Sequence, residues 1–166
     1  MRILRMLALI LALLSVAAQT APGKAQAGFD RLKTLVGDWQ GALADGRTAA
    51  ASYRLVSKDS VLEETLQVSN QETMITVYHL DGDRLMVTHY CAAGNQPRMV
   101  TTPDPNAPNV FAFQFLDITN LSSAQSGHMR DLVVTLVDKD HFTQQWVWRE
   151  KGQEEKMELF KWTRKR

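Results

Sequence analysis

In the stretch THYCAAGNQPRM, residues 88–99, His89 and Cys91 stand two apart. On a β-strand that spacing puts both side chains on one face. There an imidazole and a thiol could share a zinc or copper ion, or act as a base and a nucleophile. Two ligands do not complete a metal site, so Glu64 or His128 would have to supply the remainder. No nucleophile signature surrounds the pair, and no catalytic residue is assigned. Asn95 and Arg98 follow in the same stretch and could orient a bound molecule, Arg98 by meeting an anionic headgroup. Glu64 sits among the alternating apolar residues Leu62, Leu66 and Val68, which makes it an inward carboxylate in need of a hydrogen-bonding partner. Three readings of these residues stand side by side: a pocket for a small molecule, a metal- or thiol-dependent site, and a packed core in which the histidine and the free thiol are structural.

The elements that must position them are strands. After Val36 no segment has a helical period, whereas short β-rich runs alternate with turn signals: DGR at 45–47, SKDS at 57–60, NQE at 70–72, DGD at 81–83, AAGNQP at 92–97, DKD at 138–140 and EKGQE at 150–154. About ten strands result, at 39–44, 48–56, 61–69, 73–80, 84–91, 98–102, 110–117, 129–137, 141–149 and 156–164. Their connections are too short for parallel crossovers, so the sheet is antiparallel and up-and-down. Closing it removes two open edges, and the expected fold is an all-β closed barrel. Phe29, Leu32, Leu35 and Val36 at helical spacing predict a short helix closing one mouth.

Barrel parity then assigns the interior. A three-residue turn at DGD pairs Leu80 with Arg84 and puts Ile75, Val77 and His79 on the same face as Leu85, Val87, His89 and Cys91. Tyr78 and Tyr90 fall on the outer face. Phe111, Phe113 and Phe115, with Trp146 and Trp148, are further inward groups; they read first as packing, and Phe113 is the one placed among the ligand contacts.

Composition limits the partners. Arg2 and Arg5 precede the apolar run at 6–14, followed by small residues, which reads as an export signal at 1–18 with a leader to 27; cleavage after Ala18 or after Ala27 both satisfy the small-residue rule. The single domain is then 28–166, in a periplasmic or extracellular setting. The run is shorter than the roughly 20 residues of a spanning helix, so no membrane span is expected. Losing Arg2 and Arg5 leaves 17 basic residues against 18 acidic ones. That balance withholds the main driving force for nucleic-acid binding. With Cys91 the sole cysteine, no internal disulfide can form.

VGDWQG, residues 36–41, resembles the Gly-x-Trp opening of lipocalins and of nitrobindin-like barrels, the calycin superfamily. The resemblance extends over the later stretches TVYHLDGDRLMVTHYCAAGNQPRM and DHFTQQWVWREKG, which are similar to uncharacterised exported bacterial proteins of this barrel type. It implies that Trp39 closes one end of the barrel under a basic side chain from the last strand, a place taken here by Arg164. Nitrobindins ligate haem through a histidine near the C-terminus; residues 156–164 hold none, and the sequence requires no cofactor. The expected function is binding of a small, largely apolar molecule through Glu64, His89, Cys91, Asn95, Arg98 and Phe113. A metal- or thiol-dependent enzyme using His89, Cys91 and Glu64 is the alternative, and a protein acting on partners through its outer surface is a third.

Overall fold

A computed structural model describes residues 22–43, 46–157 and 159–166. The expected export signal, with cleavage after Ala18, lies outside the described residues. The chain begins with helix α1 (Lys24–Leu32), continues through a 3-10 turn (Lys33–Leu35), and then forms β1 (Gly37–Ala42), β2 (Thr48–Val56), β3 (Val61–Val68), β4 (Met74–Asp81), β5 (Arg84–Tyr90), β6 (Gln96–Thr101), β7 (Val110–Thr119), β8 (His128–Leu136), β9 (His141–Glu150), β10 (Gln153–Lys156) and β11 (Phe160–Arg164). Each strand is antiparallel to its neighbour in chain order from β1 to β9, and β11 pairs with both β9 and β1 to close the ring. Because β10 and β11 lie end to end along β9, pairing with its second and first halves, they form one interrupted stave, and the barrel has ten.

The helix is amphipathic for a simple reason. Ala25, Gly28, Phe29 and Leu32 recur at one face and are buried, and they plug the barrel end formed by the β4–β5 turn. Directly behind the plug, Trp39 is paired in register with Arg164, whose guanidinium lies 4.1 Å from the indole centroid. That guanidinium also donates to the carbonyls of Thr34, Val36 and Lys139 at 2.8, 2.8 and 3.0 Å, while Trp39 Nε1 donates to Leu35 O at 2.7 Å. The closure implied by Trp39 and Arg164 is present, and one residue of β11 ties the 3-10 turn, β1 and the β8–β9 turn together.

The register of one hairpin differs from the expectation, and every side chain on β4 changes face as a result. Asp81 pairs with Arg84 and Leu80 with Leu85, so the turn has two residues, Gly82 and Asp83, with Gly82 at φ +60° where a β-carbon is disfavoured. The Arg84 guanidinium, 2.6 Å from the Asp81 carboxylate, clamps this tighter turn. Inward on β4 are therefore Met74, Thr76 and Tyr78; Ile75, Val77 and His79 face outward. The parity expected for β3 and β5 holds, with Glu64 and His89 both buried inside.

Candidate functional site

The barrel interior is filled at the helix end and open at the other. Trp39, Tyr53, Phe113, Phe142 and Trp162 are almost wholly buried in the filled half. They meet edge-to-face or stacked, with Trp39 and Phe142 centroids 4.7 Å apart and Phe142 and Trp162 centroids 5.8 Å apart. At the opposite end a cavity of about 630 Å³ enters between the β1–β2, β3–β4, β5–β6 and β10–β11 connections. Its wall is mainly apolar, from Leu66, Met74, Met129, Trp146, Trp148 and Phe160, with His89 and Cys91 among them and Arg47, Glu72 and Glu155 toward solvent. A volume of this order suits a small organic ligand.

Beneath that cavity lies a buried polar network built from five strands. Glu64 on β3 is fully buried; its carboxylate accepts from Tyr78 Oη at 3.0 Å and from Gln144 Nε2 at 2.9 Å, and the same amide nitrogen lies 3.1 Å from Tyr53 Oη. Trp162 Nε1 donates to Gln144 Oε1 at 2.9 Å and so turns the amide nitrogen toward the carboxylate. Burial pushes the Glu64 carboxyl above its ordinary range, and the converging donors work against that rise. The phenols of Tyr53 and Tyr78 are raised well above theirs, chiefly by burial and then by the Glu64 charge, so both are neutral donors at pH 7.

The network continues to the cavity wall. Thr76 Oγ1 is 2.9 Å from His89 Nδ1, and the imidazole packs on Trp146 with centroids 4.7 Å apart. Burial lowers the His89 pKa to about 4, leaving the ring neutral at pH 7. Its second nitrogen, Nε2, is buried and has no partner among the described residues. Native structures leave few such atoms unsatisfied. Cys91 is half-buried at the cavity edge, where burial raises its thiol above the ordinary value against the lowering effect of the Ala93 and Ala92 amides. A thiol held protonated is a poor nucleophile and a poor metal ligand.

The remaining expected contacts lie elsewhere. Arg98 points out of the barrel into a bidentate ion pair with Asp117, with Nε 2.6 Å from Oδ1, on the surface of β6 and β7. Asn95 is buried but outside the cavity wall: Nδ2 donates to Gly127 O at 2.9 Å and the Asn95 backbone carbonyl accepts from Cys91 N at 3.1 Å, which pins the β5–β6 connection. Phe113 packs against Tyr78 in the filled half, with centroids 5.9 Å apart, and is a core residue. His128 rests on Phe115 with Nδ1 3.0 Å from Ser126 O, away from His89. Among the described residues no three histidine, cysteine or acidic side chains converge as a metal site. The haem site implied by the nitrobindin resemblance also lacks its ligand, because β11 carries no imidazole.

Sequence reasoning missed Thr76, Tyr78 and Met74, all on β4 and all lost through the turn register. Gln144, Met129 and Phe160 were missed for want of a signal, since nothing local marks a glutamine or methionine as a wall residue.

Fold and cavity together define a closed ten-stranded antiparallel barrel with a helix across one end and a pocket at the other. The chain aligns with the crystal structure of Rv2717c from M. tuberculosis at a TM-score of 0.64 and 15% identity, covering 84% of this chain and 98% of that one. It also aligns with a protein of unknown function from the DUF3598 family of Nostoc punctiforme PCC 73102 at a TM-score of 0.55 and 15% identity, covering 89% of this chain but 53% of that one. At such identities the likeness is one of fold. No family model and no curated protein matches the sequence.

Proposed function

We propose that the protein is exported and binds a small, largely apolar molecule in the open half of its barrel. The observation that carries this reading is the asymmetry of the interior: aromatic packing fills one half completely, whereas the other leaves about 630 Å³ walled by methionine, tryptophan and leucine side chains. Small barrels commonly fill their interiors with side chains, so a lumen left open at one end is a feature to be explained by an occupant. Methionines in the wall suit a molecule of variable shape, because they repack at little cost. The protonated Cys91 thiol and the neutral His89 fit a binding wall better than a reaction centre.

The test is native mass spectrometry of protein purified from its own exported fraction, followed by titration with the fluorescent apolar probe N-phenyl-1-naphthylamine. A retained organic mass, or saturable one-to-one binding lost in Met129→Trp, is the expected result. Repeated preparations with no adduct, combined with probe binding unaltered by Met129→Trp, would remove the cavity as the binding site.

A further inference from the structure

We propose that His89 Nε2 is a fixed hydrogen-bond acceptor in the cavity wall, so that the bound molecule is apolar with a single hydroxyl or N–H donor at its inner end. This rests on the small-molecule reading above and narrows it to a chemical class. Thr76 Oγ1 lies 2.9 Å from His89 Nδ1, and either atom of that pair can supply the hydrogen. A hydrogen on Nε2 would be a buried N–H with no partner among the described residues, the rarer and costlier kind of orphan, so the geometry favours the hydrogen on Nδ1, donated to Thr76 Oγ1. A neutral imidazole carries one hydrogen, and with that hydrogen on Nδ1 the lone pair is on Nε2.

His89 forms part of the cavity wall and Thr76 does not, so the Thr76-bonded edge of the ring is turned away from the cavity and the opposite edge, with Nε2, is turned toward it. That nitrogen is buried without a partner among the described residues. Because Nε2 is closed off in the unliganded wall, a donor on a bound molecule reaches it through a shift of wall side chains, among which methionines move at little cost. Thr76 is a positioning residue in this scheme. It does not touch the ligand; by taking the Nδ1 hydrogen it leaves the lone pair on Nε2.

Two measurements test this. In the unliganded protein at pH 7, nitrogen-15 NMR of the imidazole should show His89 protonated at Nδ1 and bare at Nε2; the reverse tautomer overturns the proposal whatever binds. Binding is then compared for 2-naphthol and 2-methoxynaphthalene, which have similar shapes but differ in the donor. Naphthol should bind about tenfold more tightly, the effect of one hydrogen bond to an otherwise unsatisfied acceptor. His89→Phe should abolish the difference while methoxynaphthalene still binds, and Thr76→Val, which leaves the imidazole in place, should reduce it. Equal affinities in the wild type, or a difference that survives His89→Phe, overturn the donor requirement and leave the cavity reading standing. Failure of both probes to bind overturns both.

Discussion

At the scale of single residues, Glu64 and His89 titrate in opposite senses, and the signs can be worked out. His89 has a folded pKa of about 4, below the roughly 6.5 of an unfolded histidine. The unfolded chain therefore binds more protons between those values, and the stability present above pH 6.5 is lost as pH falls toward 4. His89→Phe should remove this acid limb. Urea unfolding at pH 7.5 and at pH 4.5 should show the variant gaining about 2 kcal/mol relative to wild type over that interval, and a constant difference would mean that the ring is accessible to protons in the native state. Glu64 has its folded pKa raised, so its contribution favours the fold below the ordinary carboxylate range and is lost as pH rises through the folded value. What it supplies at neutral pH is satisfaction of buried donors. Glu64→Leu would orphan Tyr78 Oη and Gln144 Nε2, and denaturant melts should show a loss of roughly 3 kcal/mol. Glu64→Gln, which keeps an acceptor and removes the buried charge, should cost less than half as much.

At the scale of elements, Arg164 and Gly127 test how the two barrel ends are held. The Arg164 guanidinium bridges three carbonyls and covers Trp39. Arg164→Ala should cost roughly 2 kcal/mol, and Arg164→Lys should recover only part of it, because a compact ammonium cannot span three acceptors and stack on an indole; thermal melts of both variants decide this. At the other end a β-carbon on Gly127 would lie 2.1 Å from the Trp148 ring. Gly127→Ala should displace Trp148 from the cavity wall, seen as a changed tryptophan emission and weaker binding of an apolar probe. These elements were unequally legible in the sequence. Strands β2 and β5 could be placed almost to the residue, because turn residues punctuate both ends. The closing pair Trp39 and Arg164 was legible through a motif. The face of β4 was not, because the DGD turn accommodates either a two- or a three-residue loop, and the difference of one residue inverts Thr76 and Tyr78. Arg98 was misplaced for a related reason: β6 starts at Gln96 and shifts register between Arg98 and Met99, a local irregularity that alternation cannot reveal.

At the scale of the whole molecule, the helix plug bears on where the proposed export signal would be cleaved. Both Ala18 and Ala27 satisfy the small-residue rule for cleavage, but they differ in what they leave behind. Ala27 lies inside α1, where its amide donates to Gly23 O at 2.9 Å, and Ala25 on the preceding turn is 4% exposed against the barrel. Cleavage after Ala27 would begin the mature chain at Gly28, discarding the first turn of a nine-residue helix and the buried contact of Ala25. A helix so short depends on tertiary packing for its stability, and what remained would cover the barrel end with Phe29 and Leu32 alone. Cleavage after Ala18 leaves the whole plug intact. We therefore expect protein recovered from the exported fraction to begin at Gln19, which intact-mass measurement and N-terminal sequencing can establish. A protein engineered to start at Gly28 should unfold at lower temperature than one starting at Gln19, while its cavity, at the opposite end, should still bind the apolar probe once folded. A native N-terminus at Gly28, or equal melting temperatures for the two forms, would show that the first turn of α1 contributes nothing to closing the barrel.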